Sequence, residues 1–274
     1  MYKRVLTIQD ISCVGQCSLT VALPIISSFG IETSILPSSI LSTHTMGFKN
    51  YTYHDLSSEF ERISNHWEEE NIRFDGIYTG YLGKIEEIDY ILKSKDKLFK
   101  EGSPLVVDPV MADFGKLYPG FDDSYVSKMR ELCIASDIII PNLTEACLLT
   151  NIEYKESYDE SYILSILNAL KDMGCKTSIL TGITYNKGKT GVVVFDTNYK
   201  YYSHKYIEKS FHGTGDVYSS CFFGYYLKHN DLFKAAKLAA NFTLKCIEET
   251  IKDESHTYGV EFEKLLHLLS WLLK

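Results

Sequence analysis

The chain has 274 residues, 45% of them hydrophobic and 23% charged. That balance is ordinary for a globular protein and excludes disorder, collagen-like repeats and a disulfide-stapled miniature fold. Lys and Arg number 28 against 36 Asp and Glu, a formal charge of -8, which argues against a non-specific binder of nucleic-acid polymers or anionic membranes, since both need a basic surplus.

Lys3 and Arg4 precede only a short apolar run at 5–8 before Asp10 interrupts it, too short for a signal-peptide core, and no stretch approaches the roughly 18 apolar residues of a membrane span. The seven cysteines include no C-x-x-C pair; they suggest neither a disulfide framework nor a zinc site, but small buried hydrophobes in a reducing compartment. A soluble, cytoplasmic protein is expected.

Short β-type runs at 5–8, 32–36, 76–79, 105–108, 137–140 and 176–180 alternate with helical-period segments, the pattern of an α/β fold whose mostly parallel central sheet is covered by crossover helices. Between the second and third runs, Ser58-x-x-Glu61 has capping-box spacing, and Phe60, Ile63 and Trp67 follow at helical intervals, predicting a helix over 58–70. No extra strands are evident there. Residues 191–196 and 199–206 close around an Asp196–Asn198 turn as a local edge hairpin. Beyond 212 the chain reads as three helices, over 214–228, 231–250 and 261–273, the second with an apolar stripe of Leu232, Ala235, Ala239, Phe242, Cys246 and Ile247. Without a linker, repeat or low-complexity tract, residues 1–274 are predicted to form a single domain.

Ligands of open α/β sheets bind beyond the carboxyl ends of the strands, so the polar residues after each run are informative. Asp10-Ile11-Ser12-Cys13-Val14-Gly15 follows the first run, Asp108-Pro109-Val110-Met111-Ala112-Asp113 the fourth and Pro141-Asn142-Leu143-Thr144-Glu145 the fifth. Gly213-Thr214-Gly215-Asp216 opens the first C-terminal helix. Its glycines allow close backbone approach to a ligand, and the helix N-terminus favours an anion. A carboxylate at such a place is unfavourable beside phosphate unless it takes a proton from an attacking hydroxyl; otherwise Thr214 is an N-cap and Asp216 a first-turn acid. Asn142 and Glu145 have capping-box spacing, which needs no function, or Glu145 joins Asp108 in holding a hydrated Mg²⁺, an ion that takes only one or two carboxylates. Asp108-Pro109 is equally a plain strand stop. Found together at three sheet-end positions, these features favour a nucleotide–metal site.

In this order the motifs, with Ser42-Thr43-His44-Thr45 and Thr79-Gly80-Tyr81, resemble the ribokinase-like superfamily and within it the vitamin B6 kinases, over nearly the whole chain. The resemblance implies a three-layer α/β/α fold and ATP-dependent phosphorylation of the 5′-hydroxymethyl group of pyridoxal, pyridoxine or pyridoxamine. It implies Asp216 as the base and Gly213, Thr214 and Gly215 as the anion hole. Asp108, Asp113, Asn142 and Glu145 would surround ATP and Mg²⁺, with Thr181 and Gly182 near the nucleotide and Tyr118 in a covering loop. Asp10, Ser12, His44, Thr45 and Tyr81 would meet the alcohol substrate. A homodimer and a K⁺ requirement are further expectations of the family.

The chain departs from many animal and enteric members at Asp10, where they carry Ser, and at Met46-Gly47. A carboxylate at Asp10 suits a phenolic hydroxyl or a protonated ring nitrogen, and equally an aminopyrimidine, so hydroxymethylpyrimidine kinase activity is the alternative. Ser42-Thr43-His44-Thr45 favours B6 vitamers. A non-catalytic nucleotide-binding regulator would be expected to lack the base, which is present. Cys13 and Cys17 near the substrate loop suit packing better than hemithioacetal formation with an aldehyde. His212 helps orient the anion loop, and none of the four arginines falls in a motif.

Overall fold

The computed structural model describes residues 2–45 and 47–270; Met46 and the end of the helix expected to reach 273 lie outside the described residues. In chain order the elements are β1 (Arg4–Ser12), α1 (Leu19–Ser28), β2 (Glu32–Leu41), β3 (Tyr53–Asp55), α2 (Glu59–Glu69), β4 (Ile77–Thr79), α3 (Ile85–Leu98), β5 (Leu105–Val107), β6 (Ala112–Asp113), β7 (Lys116–Leu117) and α4 (Asp123–Ala135). There follow β8 (Ile138–Ile139), α5 (Leu143–Thr150), α6 (Glu160–Asp172), β9 (Ser178–Ile183), β10 (Lys189–Phe195), β11 (Tyr199–Lys205), α7 (Thr214–His229), α8 (Leu232–Thr250), a 3-10 turn (Glu263–Leu265) and α9 (Leu266–Ser270).

Among the described residues one nine-stranded sheet runs in the order β11-β10-β9-β8-β5-β4-β1-β2-β3, and β6 and β7 form a separate hairpin. The strands from β2 to β9 through β1 pair in parallel; β3, β10 and β11 join antiparallel at the two edges. Side chains alternate across the sheet with the period of two that a strand dictates. Ile77, Leu105, Val107, Ile139, Leu180 and Val193 enter one core, under α2 to α6, while Tyr78, Val106, Ile138, Ile179, Val192 and Val194 enter the other, under α1, α7 and α8. Burial on both faces explains the near-continuous apolar runs. Gly224 is required inside α7, because a Cβ there would stand 2.3 Å from the Phe29 ring. No described helix is long and apolar enough to cross a membrane.

Four expectations are corrected. First, β1 and β2 extend past their apolar runs, with Ile11 opposite Ile40 and Ser12 opposite Leu41 beyond a register shift at Gln9/Ile11. Asp10 and Ser12 thus stand on the strand rather than after it, because β2 continues the ladder beside them. Second, β3 is an additional strand between the second and third runs, and its three residues are too few for an alternation to register. Third, Ser58 makes no side-chain cap. Its backbone is already helical, and the Leu56 and Ser57 carbonyls accept from the Glu59 and Phe60 N–H groups instead. Fourth, the last helical segment starts late, as the 3-10 turn, because Phe262 is buried and the Glu261 N–H is anchored on Thr250 Oγ1 at 2.9 Å.

Candidate active site

Strand order reverses about β1: β2 lies on one side and β4 on the other, and the crossover helices α1 and α2 occupy opposite faces. A crevice therefore opens at the carboxyl ends of β1 and β4, as expected at a topological switch point. It is a cleft of about 280 Å³ lined by Asp10, Ser12, Cys17, Ser18, Leu41, His44, Thr45, Tyr51, Tyr81, Val110, Tyr118, Pro119, His212, Gly213 and Asp216. This volume suits a single substituted ring better than a whole nucleotide. A second cavity, at the opposite end of β1, is lined by the Arg4–Glu32 and Lys100–Asp75 ion pairs and is remote from these groups.

All five residues expected to meet an alcohol, Asp10, Ser12, His44, Thr45 and Tyr81, line the cleft. Ser12 Oγ donates to Asp10 Oδ2 at 3.1 Å, and the Cys17 thiol lies 3.4 Å from Ser12 Oγ. Burial raises both the Asp10 carboxyl and the Cys17 thiol, leaving Cys17 un-ionised and poorly nucleophilic. His44 sits where it does because Gly15 has no side chain: a Cβ there would stand 2.2 Å from the His44 ring.

At the start of α7, Gly213 takes φ 78° as the N-cap, in place of the Thr214 cap considered from sequence, and Thr214 Oγ1 donates to the Phe211 carbonyl at 3.3 Å. Gly215 is exposed, with open space where a Cβ would be. Asp216 faces the cleft half-buried, and its carboxyl is pushed up to about 7 by burial, with the Asp108 and Asp10 charges adding to the rise. Among the described residues no Lys or Arg lines the cleft.

Asp108, just beyond β5, is buried and accepts from Ser219 Oγ at 2.7 Å. Ser219 stands one turn after Asp216 on α7, so a single helix presents one acid and holds another. Glu145 is tied into α5: its Oε1 accepts from the Met111 N–H and its Oε2 from the Asn142 N–H. The capping box expected at Asn142 is fully formed, and Asn142 Nδ2 donates to the Ala112 carbonyl at 2.8 Å. Burial raises the Asp108 and Glu145 carboxyls, and Asp108 raises Glu145 further. Two neighbouring buried carboxylates, both hard oxygen donors, fit a divalent cation such as Mg²⁺. Asp108, Asn142, Glu145, Thr181, Gly182, Thr214 and Gly215 lie outside the cleft lining, although Asn142 bridges to Thr181. Asp113 is exposed on the β6–β7 hairpin.

Sequence reasoning passed over Ser18, Tyr51, Pro119 and Ser219. Beneath Tyr81, buried Glu87 accepts from the Gly83 N–H at 2.8 Å and is pushed up to about 8 by burial. The folded state therefore keeps this proton where the unfolded chain has lost it, so the group weakens folding progressively as pH rises from the ordinary value of 4.5 to about 8. Glu87→Gln, which keeps an acceptor for Gly83, is expected to leave Tm unchanged near pH 5 and to raise it near pH 8, as read by thermal melts.

The sequence profile of the phosphomethylpyrimidine kinases matches residues 38–261. The chain belongs to that family. A protein of Bacteroides thetaiotaomicron assigned to the phosphomethylpyrimidine kinases, solved in an orthorhombic form with pyridoxal, is 33% identical, with TM-score 0.91 over 98% of this chain and 96% of that one. The pyridoxal kinase of Lactobacillus plantarum is 30% identical, with TM-score 0.91 over 98% and 97%. The hydroxymethylpyrimidine/phosphomethylpyrimidine kinase of Aquifex aeolicus is 29% identical over 189 residues, 67% of this chain and 71% of that protein. The ribokinase-like fold and the B6-kinase resemblance expected from the motifs are thereby borne out, and the chain is a kinase of the phosphomethylpyrimidine/pyridoxal kinase group.

Proposed function

We propose that this protein transfers the γ-phosphoryl group of ATP to the 5′-hydroxymethyl group of a B6 vitamer, with pyridoxal as the leading substrate. The observation that carries the reading is the Asp216 carboxyl, facing a ring-sized cleft from the first turn of α7 with a proton affinity near neutrality. A base so poised takes the hydroxyl proton as the oxygen attacks phosphorus, and the Gly213–Gly215 amides and helix dipole stabilise the charge developing on the transferred group. Asp10 and Ser12 hold the ring: the carboxylate pairs with a protonated ring nitrogen or accepts from the phenolic hydroxyl. Asp108, with Glu145 behind it, would hold Mg²⁺, which when bound neutralises phosphate charge. Asn142 acts by fixing Glu145, and Thr181 and Gly182 border the nucleotide.

The Bacteroides relative solved with pyridoxal and the Lactobacillus pyridoxal kinase support the B6 substrate. The matched family and the Aquifex relative favour a second reading, hydroxymethylpyrimidine as the alcohol, with Asp10 paired to the exocyclic amine. Turnover of ATP with pyridoxal, pyridoxine, pyridoxamine and hydroxymethylpyrimidine, measured side by side, is expected to be fastest with a B6 vitamer; a higher kcat/KM for the pyrimidine would overturn the assignment.

Because the base must be ionised, kcat is expected to climb with pH through about 7 and level off above it. A steady-state pH series checks this, and a rate flat between pH 5.5 and 8.5 would exclude Asp216 as the titrating base.

A further inference from the structure

The described residues after α8 contribute nothing to the cleft lining, yet they are bonded to the loop that follows β1, and Gln16 is the junction. Gln16 Nε2 donates to Glu263 Oε1 at 2.7 Å, Gln16 Oε1 lies 2.9 Å from His256 Nε2, and the Gln16 N–H donates to the Tyr258 carbonyl at 3.3 Å. With Nε2 committed to a carboxylate, Oε1 is the acceptor, so His256 Nε2 carries the proton. Two glycines from separate segments press on the same backbone. A Cβ on Gly213 would stand 2.0 Å from the Gln16 carbonyl oxygen, and one on Gly259 would stand 2.7 Å from Gln16 Cβ.

Two residues further on, Ser18 has φ 52° and ψ -131°, a conformation that L side chains seldom hold and that persists only where surrounding contacts over-determine it. Ser18 is buried, and its carbonyl accepts from the Val21 and Ala22 N–H groups at the start of α1. Its N–H lies against the Asp216 carboxylate and its hydroxyl against Asp10. The strained residue thus touches both acids of the cleft, and the loop that carries it is held from within by Thr20 Oγ1 on the Cys17 and Gly15 carbonyls and from outside by the contacts of Gln16.

We propose that Gln16, gripped between Glu263 and His256, is a positioning residue: the C-terminal segment clamps the loop 13–18 in the form that seats Ser18 on Asp216 and Asp10 and backs the anion loop at Gly213. The inference rests on the kinase reading of the cleft. The bonds also admit a purely structural role, as a latch that fastens the C-terminal segment to the body of the protein. A latch would move stability alone, whereas a positioning clamp lowers kcat in the folded protein.

Gln16→Ala, Glu263→Ala and Glu263→Gln separate the two. Loss of the clamp is expected to lower kcat about tenfold, as for a small misplacement of reacting groups, with KM for ATP within twofold of wild type. Glu263→Gln, which keeps the acceptor for Gln16, is expected to restore most of the rate. Hydrogen exchange of residues 13–18 is expected to quicken in Gln16→Ala while the amides of β4 and β5 stay protected. A kcat within twofold of wild type in folded Gln16→Ala, or Glu263→Gln as slow as Glu263→Ala, would overturn the proposal. Unchanged exchange at 13–18 would do so whatever the activity, and if Gln16→Ala does not fold, the Glu263 pair decides. Wild-type protein that turns over no alcohol overturns the kinase reading instead, with the exchange measurement still reporting on the clamp.

Discussion

Asp216→Ala is expected to lower kcat by about 10²–10⁴, the range for removing a positioned general base, with KM for ATP little changed. The same change should not cost stability. The carboxyl is raised to about 7 by burial, so in the unliganded protein its ionised form opposes folding as pH rises. Asp216→Asn is therefore expected to melt at or above the wild-type temperature near pH 8 while remaining nearly inactive. Opposite movements of rate and Tm are the signature of a group kept for chemistry, and a first-turn acid serving only the helix dipole would give the reverse: a small loss of Tm and a near-normal rate. Steady-state kinetics and thermal melts on one preparation measure both.

Gly213→Ala is expected to fail on both counts. Its φ of 78° costs an L residue roughly 1–2 kcal/mol, and the added Cβ at 2.0 Å from the Gln16 carbonyl oxygen cannot be accommodated without moving the loop that carries Ser18. A fall in Tm of about 2–4 °C for each kcal/mol should accompany a rate loss on the order of 10². Gly215→Ala is the instructive contrast. No atom lies within 4 Å of the added Cβ, so Tm is expected to hold, while the methyl group intrudes where the transferred phosphoryl group would sit and kcat falls. If Gly215→Ala is as active as wild type, the anion does not approach this turn.

The sequence revealed those parts of the site whose residue types have few other uses. Gly213 and Gly215 around a threonine, a carboxylate in the first turn of a helix, and Asp108 where a proline ends a strand all carry their meaning locally. Ser219 does not. Its partner Asp108 is 111 residues away in the chain, and nothing about a serine inside a helix announces it. Ser18 is silent for another reason: a serine gives no warning that its backbone will adopt φ 52°, since the loop around it, not the residue, imposes the angle. Tyr51 reaches the cleft by way of β3, three residues too short to show alternation.

Two segments with the same capping-box spacing ended differently. Asn142 has an extended backbone, φ -75° and ψ 173°, beside its bridge to Thr181, so its side chain can fold back onto Glu145 N–H. Ser58 enters its helix with φ -66° and ψ -19°, already helical, and has no geometry left for a cap. Spacing stated the possibility in both, and tertiary pairing decided it. The acidic balance of the whole chain likewise acquired a location: Asp10 and Asp216 line the cleft with Asp108 and Glu145 behind them, and among the described residues no lysine or arginine joins that lining.

The substrate assignment is tested most directly by a single-pot competition: equimolar pyridoxal and hydroxymethylpyrimidine with limiting ATP and Mg²⁺, the products resolved by ³¹P NMR. The expected result is a phosphate-ester resonance dominated by pyridoxal 5′-phosphate, absent with Asp216→Asn. A spectrum dominated by the phosphorylated pyrimidine, or pyridoxal phosphorylation that survives in Asp216→Asn at the wild-type rate, would contradict it.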